Sequence, residues 1–137
     1  ALPGIARADK IQRRVASVGF DWPDDEPVFA KVEEELQELG EVRSDRDLAT
    51  AELGDLLFAV VNLARHLDVD PEIALSRAND MFAERFRVVE QLAEGERRRL
   101  RDYDLAGLDR LWENAKAVVS TDERGSSFTL TPERNDS

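Results

Sequence analysis

Two pairs of acidic side chains carry the chemistry this chain has to offer. Glu35 and Glu38 stand three residues apart, and fourteen residues after Glu38 the pair Glu52 and Asp55 repeats the interval. On a helix, at about 100° of rotation per residue, such a pair shares one face. Val28, Val32, Leu36 and Leu39 form an apolar stripe, and Glu35 projects within about 20° of Val28. Glu35 therefore faces inward, Glu38 flanks the stripe one turn on, and Glu34 turns towards solvent. In the next helix Glu52, Asp55, Ala59, Asn62 and His66 fall within a sector of roughly 80° between greasy residues such as Leu56 and Leu63.

Ionised carboxylates brought together in a core are costly, and four of them raise one another's pKa by repulsion and desolvation. Arg or Lys can compensate that charge. So can a hard divalent cation, since Mg2+ typically combines a few carboxylates with water and substrate phosphates. Most glutamate runs are solvated faces, and Glu33, Glu41 and the glutamates from 90 to 96 belong to that class. Glu52 and Asp55 differ because the opposite face of their helix is apolar too, and solubility has no use for them there.

With 30 Asp plus Glu against 19 Lys plus Arg and a formal charge of -11, the chain repels nucleic-acid polymers and anionic membranes. A phosphate-binding role then calls for metal. The absence of cysteine excludes disulfides, thiol nucleophiles and Cys-based metal sites, and a single histidine, His66, excludes a multi-His centre. His66 reads as a structural hydrogen-bonding residue. The longest apolar run, Leu56 to Val61, is followed by Asn62 and Arg65, far short of the roughly 20 residues of a membrane span. Cytoplasm is the expected compartment. The opening Ala1-Leu2-Pro3 has neither an initiator Met nor a signal-peptide pattern, as expected of a processed product or a piece of a longer protein.

The 137 residues suit one domain over residues 1–119 and a flexible polar tail over 120–137. Hydrophobic periodicity predicts an all-α bundle of about five helices. The first runs from Ile5 to Val18, with Ile11, Val15 and Val18 inward, and stops at Gly19. A linker containing Phe20 and Trp22 leads to a second helix, capped by Asp24 or Asp25 with Pro27 in its first turn and reaching Gly40. Ser44 or Asp45 caps a third helix extending to about Leu67. Its stretch Leu53 to Leu63, apolar nearly all round, is expected in the centre of the fold or against another subunit. Asp70-Pro71 starts a fourth helix ending near Gly95, and a fifth runs from Asp104 to Val119. Strand-like alternation occurs at Ser127 to Thr131 alone.

The motif Glu34-Glu35-x-x-Glu38 followed by Glu52-x-x-Asp55 resembles the metal-binding signature of the MazG family of nucleoside triphosphate pyrophosphohydrolases. The resemblance extends to residues 18–23, 31–36, 52–66 and 77–86, covers the chain to about residue 118, and is similar to the carboxy-terminal domain of two-domain members. It implies a four-helix-bundle core completed by dimerisation, and Mg2+-dependent cleavage of a nucleoside triphosphate into monophosphate and pyrophosphate, with Mn2+ as a substitute metal. By the same resemblance, Glu35, Glu38, Glu52 and Asp55 match the metal ligands, and Glu34 matches a glutamate that orients or deprotonates the attacking water. Lys31, Arg85, Trp112 and Lys116 match nucleotide contacts. Two positions depart from the pattern: Met81 stands where relatives often carry a phosphate-contacting Lys, and Leu48 to Ala51 include no Lys. From the residues alone, Arg85 suits either phosphate or a buried ion pair, Trp112 either a base or the core, and Lys31 either substrate or Glu35. The expected role is housekeeping removal of surplus or abnormal nucleotides. A specialised deoxynucleotide or phosphoribosyl-nucleotide pyrophosphohydrolase and a non-catalytic helical dimer that binds nucleotide or a regulatory partner are the alternatives.

Overall fold

In the computed structural model, which describes residues 2–119, helix α1 (Gly4–Ala16) gives way to a turn at residues 17–19. Gly19 adopts φ +93° there, a region that residues bearing a Cβ rarely enter. The helix ends two residues before the expected Val18, which is turned out to solvent instead of extending the apolar stripe. Helix α2 (Glu26–Val42) has Pro27 in its first turn, and Asp24 Oδ1 accepts from the Glu26 N–H at 3.2 Å. It passes through Gly40 without stopping, because a glycine inside a helix weakens it but does not break it. Helix α3 (Arg46–His66) is capped by Asp45, whose Oδ1 accepts from the N–H groups of Asp47 (3.1 Å) and Leu48 (3.2 Å). Helices α4 (Pro71–Gly95) and α5 (Leu105–Val118) complete an all-α fold, with a 3-10 turn at Leu100–Asp102 between them. No strand occurs among the described residues. The alternation at 127–131 and the tail over 120–137 lie outside them.

The chain divides into two compact units, Ala1–Ala74 and Leu75–Ser137. In the first, α3 packs extensively against α2 and over a smaller area against α1. Val28 of α2 and Ala59 and Val61 of α3 are the buried apolar residues of this unit. The polar face read on α3 also turns inward: Asn62 is buried, and Glu52 and His66 are half-buried. The apolar run of α3 is split, because Leu53, Leu57 and Val60 on its other side stay about half exposed, as does Leu36 of α2.

Two polar ties hold α1 and the linker against α3. Gln12 Nε2 donates to the Phe58 carbonyl at 2.9 Å. Asp21 receives both ends of the Arg65 guanidinium, at 2.9 and 2.7 Å, and His66 Nε2 at 2.9 Å. Since a carboxylate only accepts, His66 carries its proton on Nε2 there, a structural role that agrees with its solitary place in the sequence.

The second unit has its own core, in which Val89 and Ala93 of α4 meet Tyr103 and the α5 residues Leu111, Trp112 and Ala115. Glu96 closes it by accepting from Tyr103 Oη at 2.7 Å and from both terminal nitrogens of Arg110 at 3.0 and 3.1 Å. Arg110, followed by Tyr103, holds the Glu96 carboxyl below its usual range.

The hydrogen-bonded Arg65 guanidinium, with a smaller contribution from His66, holds the Asp21 carboxyl well below the usual carboxylate range. A depressed acid stabilises the fold above its unfolded value of 3.8 and loses that contribution as pH falls below it. Asp21→Asn should therefore destabilise the protein by about 1 kcal/mol at neutral pH, a figure discounted for partial exposure. Denaturant titrations of both proteins should converge in acid; a constant difference down to the acid limit would contradict the assignment.

Candidate metal centre

Glu35 comes from the third turn of α2, and Glu52 and Asp55 come from α3 one turn apart. Their carboxylate oxygens lie within 4.8 Å of one another. Glu35 is 6% exposed, Glu52 is half-buried and Asp55 opens to solvent, so the cluster has a closed floor and an accessible mouth. Lys31 Nζ reaches Glu35 Oε1 at 3.0 Å and Glu34 Oε2 at 3.3 Å. Glu35 and then Glu34 hold that ammonium above its ordinary pKa. One lysine cannot balance the group: Glu35 Oε2 and Glu52 Oε2 are buried and have no hydrogen-bond partner.

Buried carboxylate oxygens without donors fit a cation. All the donors are hard oxygens, as Mg2+ and Mn2+ prefer. Two oxygens on one Mg2+ are at most about 4.2 Å apart, twice its bond length. The spacing here is reached from that by a small side-chain adjustment.

Glu38 stands outside the group of three but within its field. Repulsion from Glu35 is the largest cause, followed by desolvation and the charges of Glu52 and Glu34; together they push its carboxyl up to about 6. Glu34 is exposed and held by Lys31. The structure thus brings Glu35, Glu52 and Asp55 together, sets Glu38 beside them, and pairs Lys31 with Glu35, as the i, i+4 spacing allows.

Arg85, Trp112 and Lys116 belong to the second unit. Arg85 is buried on α4. Trp112 is 2% exposed in the core cluster, with its ring centroid 5.0 Å from that of Phe82, the core placement its spacing also allows. Lys116 Nζ lies 3.3 Å from Glu113 Oε1. Met81 is half-buried.

A cavity of about 510 Å3 opens beside the cluster's own helix, lined by α1, the linker and α3. Gln12, Asp21 and Arg65 at its edge do not stand out in the sequence as site residues. Their signal is weak because each needs a partner from a distant segment: Gln12 is 46 residues from Phe58 and Asp21 is 44 from Arg65.

The fold and the cluster define an all-α protein that gathers oxygen ligands suited to a divalent cation. No protein-family model matches the chain. It is 47% identical over 120 residues to the nucleoside triphosphate pyrophosphohydrolase/pyrophosphatase MazG of Thermotoga maritima, over 88% of this chain and 47% of that protein. It is 45% identical over 120 residues to the nucleoside triphosphate pyrophosphohydrolase of Escherichia coli K12, over 85% of this chain and 46% of that one. A 66-residue stretch is 47% identical to the uncharacterized protein YabN of Bacillus subtilis, 48% of this chain and 14% of that protein. The chain belongs to the MazG family, and it spans about half the length of the curated relatives it matches over most of its own.

A carboxyl raised in the folded state, from 4.5 to about 6 for Glu38, stabilises the fold below the unfolded value and loses that contribution as pH rises through the folded one. In EDTA the melting temperature should therefore decline as pH passes from 4.5 to about 6, and Glu38→Gln should remove that decline. Millimolar Mg2+ should offset it in the unaltered protein; an identical pH profile with and without the metal would argue against a cation at this cluster.

Proposed function

We propose that this chain hydrolyses nucleoside triphosphates to monophosphate and pyrophosphate with Mg2+, which Mn2+ can replace, and serves in housekeeping removal of surplus or abnormal nucleotides. The observation that carries this reading is the cluster of Glu35, Glu52 and Asp55, with buried oxygens that no protein donor satisfies. Kinship with proteins named for that activity supports the choice of substrate.

In this reading Glu35, Glu38, Glu52 and Asp55 hold the metal. When bound, it offsets polyphosphate charge and acidifies water. Glu34, exposed at the rim, orients the attacking water and accepts its proton. Water adds to the α-phosphorus, the bond from that phosphorus to the α,β-bridging oxygen breaks, and pyrophosphate leaves. Lys31 keeps Glu34 and Glu35 charged and in place. Its ammonium is also available to a phosphate oxygen, since the Glu34 contact of 3.3 Å is long and exposed. The nucleotide contacts that the resemblance gives to Arg85, Trp112 and Lys116 are part of the proposal, and single substitutions test each.

A homodimer and a cytoplasmic setting complete it. Leu36 of α2 and Leu53, Leu57 and Val60 of α3 each stay about half exposed, and large apolar side chains left exposed in number are what an association face offers. No helix among the described residues is long and apolar enough to cross a membrane.

The test is product analysis with each common triphosphate and Mg2+. Monophosphate and pyrophosphate are expected, and Glu52→Gln should lower kcat about a hundredfold or more. The variant should keep its fold, since removing one of several like charges relieves repulsion. Release of orthophosphate with a diphosphate would sink the proposed bond cleavage.

A further inference from the structure

Between α4 and α5 the chain places Arg97, Arg98, Arg99 and Arg101 within five residues, four of its 19 basic residues in a protein of formal charge -11. All four are exposed. A solvated loop accounts for single charges, but four like charges in so short a segment repel one another. Solubility does not call for them in a chain so far from neutral.

The turn that carries them is tied down at both ends. The Arg97 N–H donates to the Glu94 carbonyl at 2.9 Å and the Arg98 N–H to the Ala93 carbonyl at 3.1 Å. Further on, the Asp102 N–H returns to the Arg99 carbonyl at 2.9 Å and the Tyr103 N–H to the Leu100 carbonyl at 3.2 Å. Arg98 bridges the two ends, with its guanidinium 4.1 Å over the Tyr103 ring and its Nη2 donating to the Asp102 carbonyl at 2.7 Å. Arg97 adopts φ 57°, a conformation that costs an L residue and that glycine takes freely. A glycine stands nearby, but at position 95, inside α4. An arginine held in a left-handed conformation points to function.

The neighbouring acids are committed elsewhere. Glu96 is taken by Arg110 and Tyr103, and Asp104 Oδ1 by the Gly107 N–H at 2.8 Å. Among the described residues no ion pair joins Arg97, Arg99 or Arg101 to an acid. A fixed turn therefore presents three guanidinium groups whose charge the protein itself leaves unanswered.

Guanidinium forks match the oxygens of phosphate. The Cα atoms of Arg97 and Arg101 are at most about 14 Å apart, so their side chains can close on one small anion bearing several charges. An extended polymer fits less well. The Debye length is about 8 Å at physiological salt, so a small anion on the turn is screened from the acidic remainder of the chain, whereas a nucleic-acid strand running past it is not.

We propose that the turn from Arg97 to Arg101 binds a short oligophosphate, the chain of phosphates found in free tripolyphosphate and on nucleotides. Arg97, Arg99 and Arg101 hold its oxygens, and Arg98 is a positioning residue that braces the turn against Tyr103 and Asp102. The site is made of second-unit residues alone and does not depend on the hydrolysis reading.

Tyr103 is the one tyrosine of the chain, so its ring resonances report on the turn directly. In metal-free buffer at about 0.15 M salt, tripolyphosphate or ATP, titrated separately, should shift them saturably. Arg99→Gln and Arg101→Gln should each weaken that binding about threefold, and both together with Arg97→Gln about thirtyfold. Arg97→Gly should also weaken it about threefold while raising the melting temperature, since glycine relieves the left-handed residue. That variant keeps the fold and loses affinity, which a merely structural arginine would not do. A response to tripolyphosphate as strong as to ATP assigns the free phosphate chain, and a response to ATP alone the nucleotide-borne one; either supports the site. Three results would overturn it: the same shift from sulfate at equal ionic strength, binding that survives the triple substitution, or an oligonucleotide that displaces the tripolyphosphate at this salt.

Discussion

Carboxylates taken out of water without enough positive charge around them are the constraint on which the first unit depends. Glu35 is buried against α3, where one of its oxygens meets Lys31 and the other meets nothing. Glu52 brings a second orphaned oxygen to the same place. An apolar pair at those positions would make a tighter contact between α2 and α3, since ionic groups in a core are retained at a cost to stability. Under the proposed function that cost is what a divalent-cation site at this place requires, and the raised carboxyl of Glu38 is the same repulsion seen from its edge.

The rest of the unit is arranged so that this cluster stays fixed while its surroundings remain open. Asp45 caps the N-terminus of α3 about two turns ahead of Glu52, and so fixes where that helix begins and which way its acids point. At its other end, Arg65 and His66 grip Asp21 and so hold the linker down. The left-handed Gly19 lets the chain turn from α1 into that linker. Between these fixed points lies the cavity, with Phe20, Trp22 and Phe58 among its lining residues.

The second unit is held by a different kind of interaction. Its core is a conventional apolar cluster around Leu111, Trp112 and Val89, stapled by the bidentate Glu96–Arg110 pair and by Arg98 stacked 4.1 Å over the Tyr103 ring. Arg97 takes a positive φ of 57° just after α4, the conformation that commonly ends a helix. Tyr103 serves both the apolar cluster and the polar staple, since its ring packs inward while its hydroxyl reaches Glu96.

What can be read from the chain alone follows from local physics. Helix periodicity and the capping signals at Asp45 and Asp70-Pro71 depend on neighbours in sequence, and they yield the order of the five α-helices with their ends to within about two residues. The inward aim of Glu35 and the polar sector of α3 follow from about 3.6 residues per turn, so the acid cluster is legible as well. Gly40 does not end α2, although glycine commonly follows a helix, because its weak destabilisation yields to packing further along. Three things needed the tertiary structure: that Glu38 stands beside the three clustered acids rather than among them, that Trp112 is core, and that Gln12, Asp21 and Arg65 meet around one cavity. Each depends on contacts between segments apart in the chain, where rotamer choice and helix crossing decide which atoms meet, and no local rule contains that information.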